Sequence, residues 1–400
     1  MSYSFYNFLN LLKIESIKQE KKINLIASEN YASLSSIIYS SSCYINKYTE
    51  GYPSKRYYSG CKIFDIFENK AIIESQILFS SNFSNIQPHS GVQANFAAFQ
   101  TLLNKNDKIL SLDLKSGGHL SHGFKKNFSG LIFKVVNYCL DNNNNINNKN
   151  IELLIKKEKP KLLIIGYSCY QSNINWDYLK NISKKNNCFI LSDISHISGF
   201  ICSGLIKNPI NSSDIVTSTT HKTLRGIKGG IILSNNNLLF KKINSSVFPG
   251  QQGGCLSNFV ISKYITFKES NNFNFINYSK QILINSKIML KIFFYRGYSA
   301  LNYDTINHMF LIHLKNNFGL KVEKQLEKNG IFLNKNLFPN DKNSMNPSAI
   351  RIGLSALTTR KMKKKEVEFL ANIICDIIEN TSLSHKENIF FLCKKFPIYT

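Results

Sequence analysis

The sequence predicts an α/β protein, with a mainly parallel central sheet in a large domain and a smaller α+β domain towards the C-terminus. Three observations carry this. Short apolar runs (Ile109 to Leu112, KLLIIG, CFILSD and the β-branched Ile215-Val216-Thr217) alternate with stretches of helical spacing, the pattern of strands joined by crossover helices. His119, Ser168, Asp193 and Lys222 each fall just after such a run, and parallel sheets bind ligands beyond the carboxyl ends of their strands. The 400 residues, 43% of them hydrophobic, exceed what one compact core usually holds.

Along the chain, residues 5 to 22 read as a helix on the spacing of Phe5, Phe8, Leu9, Leu12 and Ile14. Ser28 comes next, and its simplest reading is a helix cap. The segment Asn46 to Gly60 gathers Tyr48, Glu50, Tyr52, Arg56, Tyr57 and Tyr58. Tyrosines offer stacking faces and hydroxyls, and a carboxylate among them can move a proton. The segment reads equally as an interface loop, and both readings hold if the site lies between subunits. A helix is expected over 64–79. Ser90-Gly91-Val92-Gln93 then opens a further helix, offering backbone N–H groups to an anion.

The strand ending at Leu112 leads to Gly117-Gly118-His119-Leu120. His119 and His122 are three apart without a third ligand, which argues against a metal. An imidazole on this turn can instead stack on a flat ring. Residues 139 to 150, rich in asparagine, read as a surface loop, and a helix is expected near 149–157. Lys222 lies in DIVTSTTHKTLRGIKGG, just past a strand-like run. A partly buried lysine loses basicity and becomes a nucleophile for a carbonyl; the plain alternative is a turn lysine. Gly250, Gly253 and Gly254 form a second glycine loop suited to an anion. Helices over about 258–297 lead to the smaller domain. Arg351 there is a candidate carboxylate fork or a solvent-facing strand arginine, and a helix is expected over 364–380. The expected domains are an N-terminal helical segment 1–45, a large domain 46–270 and a small domain 271–400.

The formal charge of +25 invites a nucleic-acid or membrane partner. The lysines are scattered, however, and no basic motif with interleaved aromatics appears, so the charge reads as solvated faces and neither partner is expected. Nine cysteines occur without a C-x-x-C pair, which fits a reducing cytoplasm. The N-terminus lacks the order of a signal peptide, and no apolar run approaches the roughly 18 residues of a membrane span.

The stretches LIASENY, NKYTEGYPSKRYY, NIQPHSG with QANFA, GGHLSHG, SDISHISG, TSTTHKT, SSVFPG with QGG, LNKN and IRIG occur in this order. From about residue 20 onward the chain resembles the serine hydroxymethyltransferases, pyridoxal-phosphate enzymes of the aspartate-aminotransferase-like fold type I. The resemblance implies that Lys222 holds the cofactor as an imine, with His221 beside it among the catalytic residues. It implies that His119 stacks on the pyridine ring, that Asp193 pairs with the ring nitrogen, and that Ser168 and His196 lie near the ring oxygen. Tyr48, Ser90 and Gly91, with Gly253 and Gly254 of a second subunit, would bind the phosphate side. Ser28, Glu50, Tyr57, Tyr58 and Arg351 would hold the amino acid, with Glu50 and Tyr58 also catalytic. Leu114, Gly118, His119, Leu120 and Asn336 would contact tetrahydrofolate.

The implied assembly is a homodimer with shared sites, and the implied reaction moves the hydroxymethyl carbon of serine to tetrahydrofolate. A threonine-aldolase-like lyase would need no folate contacts, and a basic binding protein would need no intact Lys222 and Asp193. Several positions depart from the family pattern. Val92 replaces a serine and Lys228 an arginine, Arg225 stands at a small-residue position, and Gln251, Cys255 and Asn258 interrupt the second glycine loop. These departures predict weaker phosphate binding than is usual in the family.

Overall fold

A computed structural model describes residues 5–314, 318–339, 341, 346–380 and 384–399. The chain divides into two units, Ala32–Lys280, and Met1–Tyr31 together with Gln281–Thr400.

The first unit is built on seven strands: β1 (Phe83–Asn85), β2 (Lys108–Leu112), β3 (Lys134–Tyr138), β4 (Leu162–Gly166), β5 (Phe189–Asp193), β6 (Ile215–Thr219) and β7 (Gly230–Ser234). Their order in the sheet is β1-β7-β6-β5-β4-β2-β3. β7 runs antiparallel to both its neighbours, and the pairs from β6 to β3 are parallel. The apolar runs that predicted strands are therefore the interior of a sheet covered on both faces. Helix Gly91–Leu102 turns Ala94, Ala97, Ala98 and Phe99 onto Ile164, Leu191, Ile215 and Ile232. The three small alanines let the helix axis come close to the strands. The strand register matters for chemistry, because Asp193 ends β5 opposite Gly166 of β4 and Thr217 of β6.

The second unit carries an antiparallel sheet in the order Ser299–Ala300, Met309–His313, Ala349–Gly353, Asn334–Asn336. Helix Lys364–Glu379 buries Val367, Leu370, Ala371, Ile374 and Ile378, the spacing of an amphipathic stripe. The expected N-terminal segment 1–45 is divided by the structure. Ile23–Asn24 pairs in parallel with Ile331–Phe332, and this backbone pairing draws the first 31 residues into the C-terminal unit. The cap expected at Ser28 lies instead at Ser33, whose hydroxyl accepts from Ser36 N at 3.1 Å to start helix Leu34–Ser40. The long helical stretch beyond residue 257 breaks at Asn272, which accepts from Phe275 N at 3.0 Å and starts helix Phe273–Tyr295 after Ser257–Ser270. Among the described residues no helix is long and apolar enough to cross a membrane.

Arg360 locks the ends of the second unit together. Its buried guanidinium donates to Gln19 O at 3.0 Å and to Phe396 O at 2.6 Å, and lies over the Tyr31 ring at 5.8 Å. It thus serves the last carbonyls of helix Phe5–Glu20 and of helix Lys386–Lys395, where a cation is favoured. Replacing it removes the donor of part-buried carbonyls, a net loss of about 0.5–1.5 kcal/mol for each hydrogen bond. Arg360→Met is expected to lower the urea midpoint accordingly without changing the denaturant slope, measured by equilibrium unfolding.

Candidate active site

β5 delivers Asp193 to the carboxyl edge of the sheet with its side chain only 9% exposed. Gly166 on the adjoining strand makes room, since a Cβ there would fall 2.8 Å from Asp193 Cβ and 3.0 Å from His122 Cε1. Asp193 Oδ2 accepts from Asn95 Nδ2 at 2.8 Å and from His122 Nε2 at 3.0 Å. Its Oδ1 accepts from Ser195 Oγ at 2.6 Å and from Ser195 N at 3.1 Å. Asn95 is oriented in turn by Thr217, whose hydroxyl donates to Asn95 Oδ1 at 2.5 Å. Burial works to raise the Asp193 pKa. The hydrogen bond from His122 and the charges of His122, His119 and Lys222 outweigh burial and hold the carboxyl well below the usual range.

His119 sits on a turn that only glycine can make. Gly117 has φ +95°, and Cβ atoms at Gly117 and Gly118 would each lie 2.1 Å from a carbonyl oxygen, those of Cys169 and Leu112. Ser168 pins the turn, donating from Oγ to Gly118 O at 2.7 Å and to Gly117 O at 3.1 Å. His119 Nδ1 accepts from Ser121 N at 3.2 Å, and its ring centroid is 5.4 Å from that of His122. Leu114 is half-buried beside this turn, and Leu120 is exposed.

β6 is buried along its length and runs into a closed loop. Thr220 N donates to Gly229 O at 3.2 Å, Gly226 N to Thr220 O at 2.8 Å, and Thr220 Oγ1 to Ile227 O at 2.6 Å. Within the loop Lys222 is 7% exposed. Burial, together with the charges of Lys222 and Lys228, lowers the pKa of His221 to about 4, so this imidazole is neutral at pH 7. His196 is buried, and its carbonyl lies 3.4 Å from Thr223 Oγ1 beneath the same loop.

Next to β6 lies a helix N-terminus. Ser90 caps helix Gly91–Leu102 by accepting from Gln93 N at 3.2 Å. Gly91 packs on the end of β6 so closely that a Cβ would stand 2.6 Å from Thr219 Cγ2. The first amides of a helix lack partners within it and suit an anion.

The tyrosine segment forms a second cluster of the same unit. Arg56 holds it, donating from Nε to Asp65 at 2.8 Å, from Nη1 to Thr49 O at 3.0 Å and Gly51 O at 2.7 Å, and from Nη2 to the buried Glu68. Glu68 also accepts from Gln87 Nε2 at 2.7 Å. Around this anchor Tyr48 and Tyr58 stack edge-on at 5.3 Å, and Tyr57 meets Phe248 at 5.5 Å. The second glycine loop joins them: a Cβ on Gly253 would lie 2.9 Å from Glu50 Oε1, and one on Gly254 3.4 Å from the Tyr48 ring. The Glu50 charge raises the pKa of Tyr58.

Comparison with known proteins places this architecture. The family model described as serine hydroxymethyltransferase matches residues 3–374. A serine hydroxymethyltransferase of Buchnera aphidicola subsp. Acyrthosiphon pisum (strain 5A) is 44% identical, the match covering 96% of this chain and 95% of that protein. One from Francisella tularensis subsp. novicida (strain U112) is 42% identical over 97% of this chain and 95% of that protein. The chain belongs to the serine hydroxymethyltransferase family. Members interconvert serine and glycine with tetrahydrofolate as one-carbon partner and pyridoxal phosphate as cofactor, so the fold, cofactor and reaction expected from the motifs are those of this chain.

The remaining residues of the hydroxymethyltransferase pattern lie in the second unit. Ser28 and Arg351 are half-buried there, and Arg351 Nε donates to Asn334 Oδ1 at 3.1 Å. Asn336 donates from Nδ2 to Leu337 O at 3.0 Å. The departures from the family pattern have structural partners. Arg225 lies over the Tyr278 ring at 5.8 Å. Gln251 Nε2 donates to Gln93 O at 2.8 Å, and Asn258 Nδ2 to Ser40 O at 2.5 Å. Cys255 Sγ lies 3.3 Å from Thr49 Oγ1.

The sequence alone does not single out His122 and Asn95 as partners of Asp193. On spacing, His122 reads only as half of a zinc pair, and its place one turn after His119 is the available signal.

A carboxyl whose pKa is depressed by folding stabilises the protein above its unfolded value of about 3.9, and this stability drains away as pH falls below it. Asp193→Asn is therefore expected to be less stable than the parent at pH 7. The gap should close by up to about 1.4 kcal/mol per pH unit below about pH 4, as measured by urea unfolding of the cofactor-free protein.

Proposed function

We propose that Lys222 is the anchor of pyridoxal phosphate and that Asp193 pairs with its ring nitrogen, in a serine hydroxymethyltransferase assembled as a cytoplasmic homodimer. The observation that carries the assignment is the pairing of Asp193 with Thr217 across β5 and β6, with the buried Lys222 five residues beyond Thr217. One carboxylate kept ionised, one amine kept from water and one helix N-terminus built on Gly91 are the three groups a pyridine nitrogen, an aldehyde and a phosphate require. When bound, the cofactor supplies the electron sink that makes the bond from serine Cα to its hydroxymethyl carbon breakable.

The chain's own side chains do the rest. Asp193 holds the ring nitrogen protonated, and His122, Asn95 and Ser195 hold Asp193 charged. His119 covers the ring, its orientation fixed by Ser121, while Ser168 and His196 serve the ring oxygen side. Ser90 and Gly91, with Tyr48, Gly253 and Gly254 of the second subunit, take the phosphate. Ser28 and Arg351 hold the amino-acid carboxylate, with Tyr57 and Tyr58 lining the amino-acid side. Glu50 moves the proton between the serine hydroxyl and the folate, and Leu114, Gly118, Leu120 and Asn336 contact the folate. His221, neutral at pH 7, adds no competing positive charge beside the Lys222 amine. The unit Ala32–Lys280 is the cofactor-binding domain.

A second copy of this chain is the partner that suits the tyrosine cluster. Tyr57 is 74% exposed, and Ile38, Ile63 and Ile66 on neighbouring helices are exposed as well, an apolar surface of the kind that subunits bury. Nine cysteines spread singly, without a C-x-x-C pair, support a reducing compartment.

Lys222→Ala, reconstituted with pyridoxal phosphate, is expected to lack the near-visible absorbance of the parent and folate-dependent serine cleavage, with circular dichroism unchanged; retained absorbance would remove Lys222 from its role. Glu50→Gln should lower kcat for that cleavage by about 10²- to 10⁴-fold while leaving cofactor absorbance in place. Val92 is 38% exposed in the first turn of its helix. Val92→Ser should tighten pyridoxal phosphate binding in titrations of the cofactor-free protein, and equal affinities would discard the missing-hydroxyl account.

A further inference from the structure

Lys263 lies in the middle of helix Ser257–Ser270 and is 2% exposed. Its Nζ donates to three backbone carbonyls, Ile86 O at 2.6 Å, Gly230 O at 2.9 Å and Pro88 O at 3.0 Å. A neutral amine has two N–H bonds and an ammonium three, so the convergence of three acceptors fits the charged form. Burial pulls the other way, bringing the pKa down to about 7 against the raising influence of Cys255 and Glu68. A buried ammonium is costly to desolvate and adds little that an apolar side chain would not, unless its donors hold something in place.

The three carbonyls identify what is held. Ile86 and Pro88 belong to the segment that runs directly into Ser90 and Gly91, the start of the anion-facing helix. Gly230 opens β7, and Gly229 beside it accepts from Thr220 N at the base of the Lys222 loop. The contact leaves no slack. A Cβ on Gly229 would fall 2.3 Å from Lys263 Cε, and one on Gly230 would fall 2.3 Å from Ser90 O. Gly230 N also donates to Pro88 O at 3.0 Å.

We propose that Lys263 is a positioning residue for the transferase reaction, its ammonium clamping the segment that leads into the phosphate-binding helix to the base of the Lys222 loop. The clamp fixes the span between the groups that take the two ends of the cofactor, phosphate and aldehyde. It rests on the cofactor reading given above. Pyridoxal, which lacks the phosphate, has only one end to place and does not need the clamp.

The test compares the affinities of the cofactor-free protein for pyridoxal phosphate and for pyridoxal, each titrated by near-visible absorbance. Lys263→Met keeps the length of the side chain and removes its donors. It is expected to weaken pyridoxal phosphate binding at least about tenfold relative to pyridoxal, whose affinity stays near that of the parent. Lys263→Gln, with two donors and no charge, should fall between parent and Met, and serves alone if the Met variant does not fold. A purely structural role predicts a lower Tm with both affinities reduced in proportion, or neither reduced, and either pattern overturns the clamp while leaving the cofactor assignment intact. If the parent gains no near-visible absorbance with pyridoxal phosphate, both the assignment and the clamp fail.

Discussion

The site depends on keeping one carboxylate ionised where water is scarce. Asp193 is nearly out of solvent, a setting that by itself favours the neutral acid. The hydrogen bond from His122 and the charges of His122, His119 and Lys222 reverse that preference, and Asn95 and Ser195 supply three further hydrogen bonds to the carboxylate. Those donors arrive from three directions, on helix Gly91–Leu102, on the turn after β2 and on the turn after β5. The sheet register that sets Gly166 opposite Asp193 opens the space they need. Charge, glycine and register are therefore one requirement.

Around that fixed charge, the loops that carry the other groups are held by buried polar anchors. Arg56 and Glu68 fasten the tyrosine segment, Ser168 fastens the glycine turn under His119, and Thr220 closes the Lys222 loop. Buried ion pairs of this kind contribute little net stability compared with apolar packing, but breaking one is costly. Their use here suits a protein that must hold short loops in one conformation while leaving tyrosine faces and a glutamate accessible.

Much of the candidate site is legible in the sequence. Lys222, Asp193, Ser168 and His119 stand just past apolar runs, and parallel sheets display the residues beyond the carboxyl ends of their strands, so the rim shows as a coincidence of pattern. The sequence does not reveal who holds whom. His122 reaches Asp193 across 71 positions and Asn95 across 98, distances that only the sheet register closes. Lys263 sits among apolar residues with nothing local to mark it, because its acceptors are carbonyls and any residue can supply those. The strand that joins the N-terminal segment to the C-terminal unit is a two-residue pairing at Ile23 and Asn24, too short to give a periodic signal, and the Arg360 contacts that reinforce it are to backbone carbonyls, which any residue supplies.

That joining bears on how the chain is made. Synthesis releases residues in order, yet the backbone partner of Ile23 is Ile331 and the guanidinium that closes helix Phe5–Glu20 belongs to Arg360. The unit Ala32–Lys280 has all its strand partners as soon as its own last residues emerge. Helix Phe5–Glu20 has to wait through almost the entire translation before the guanidinium that serves its last carbonyls exists. Until Arg360 emerges, the seven-stranded sheet can thus be complete while the helix that precedes it still lacks the donor for its final turn.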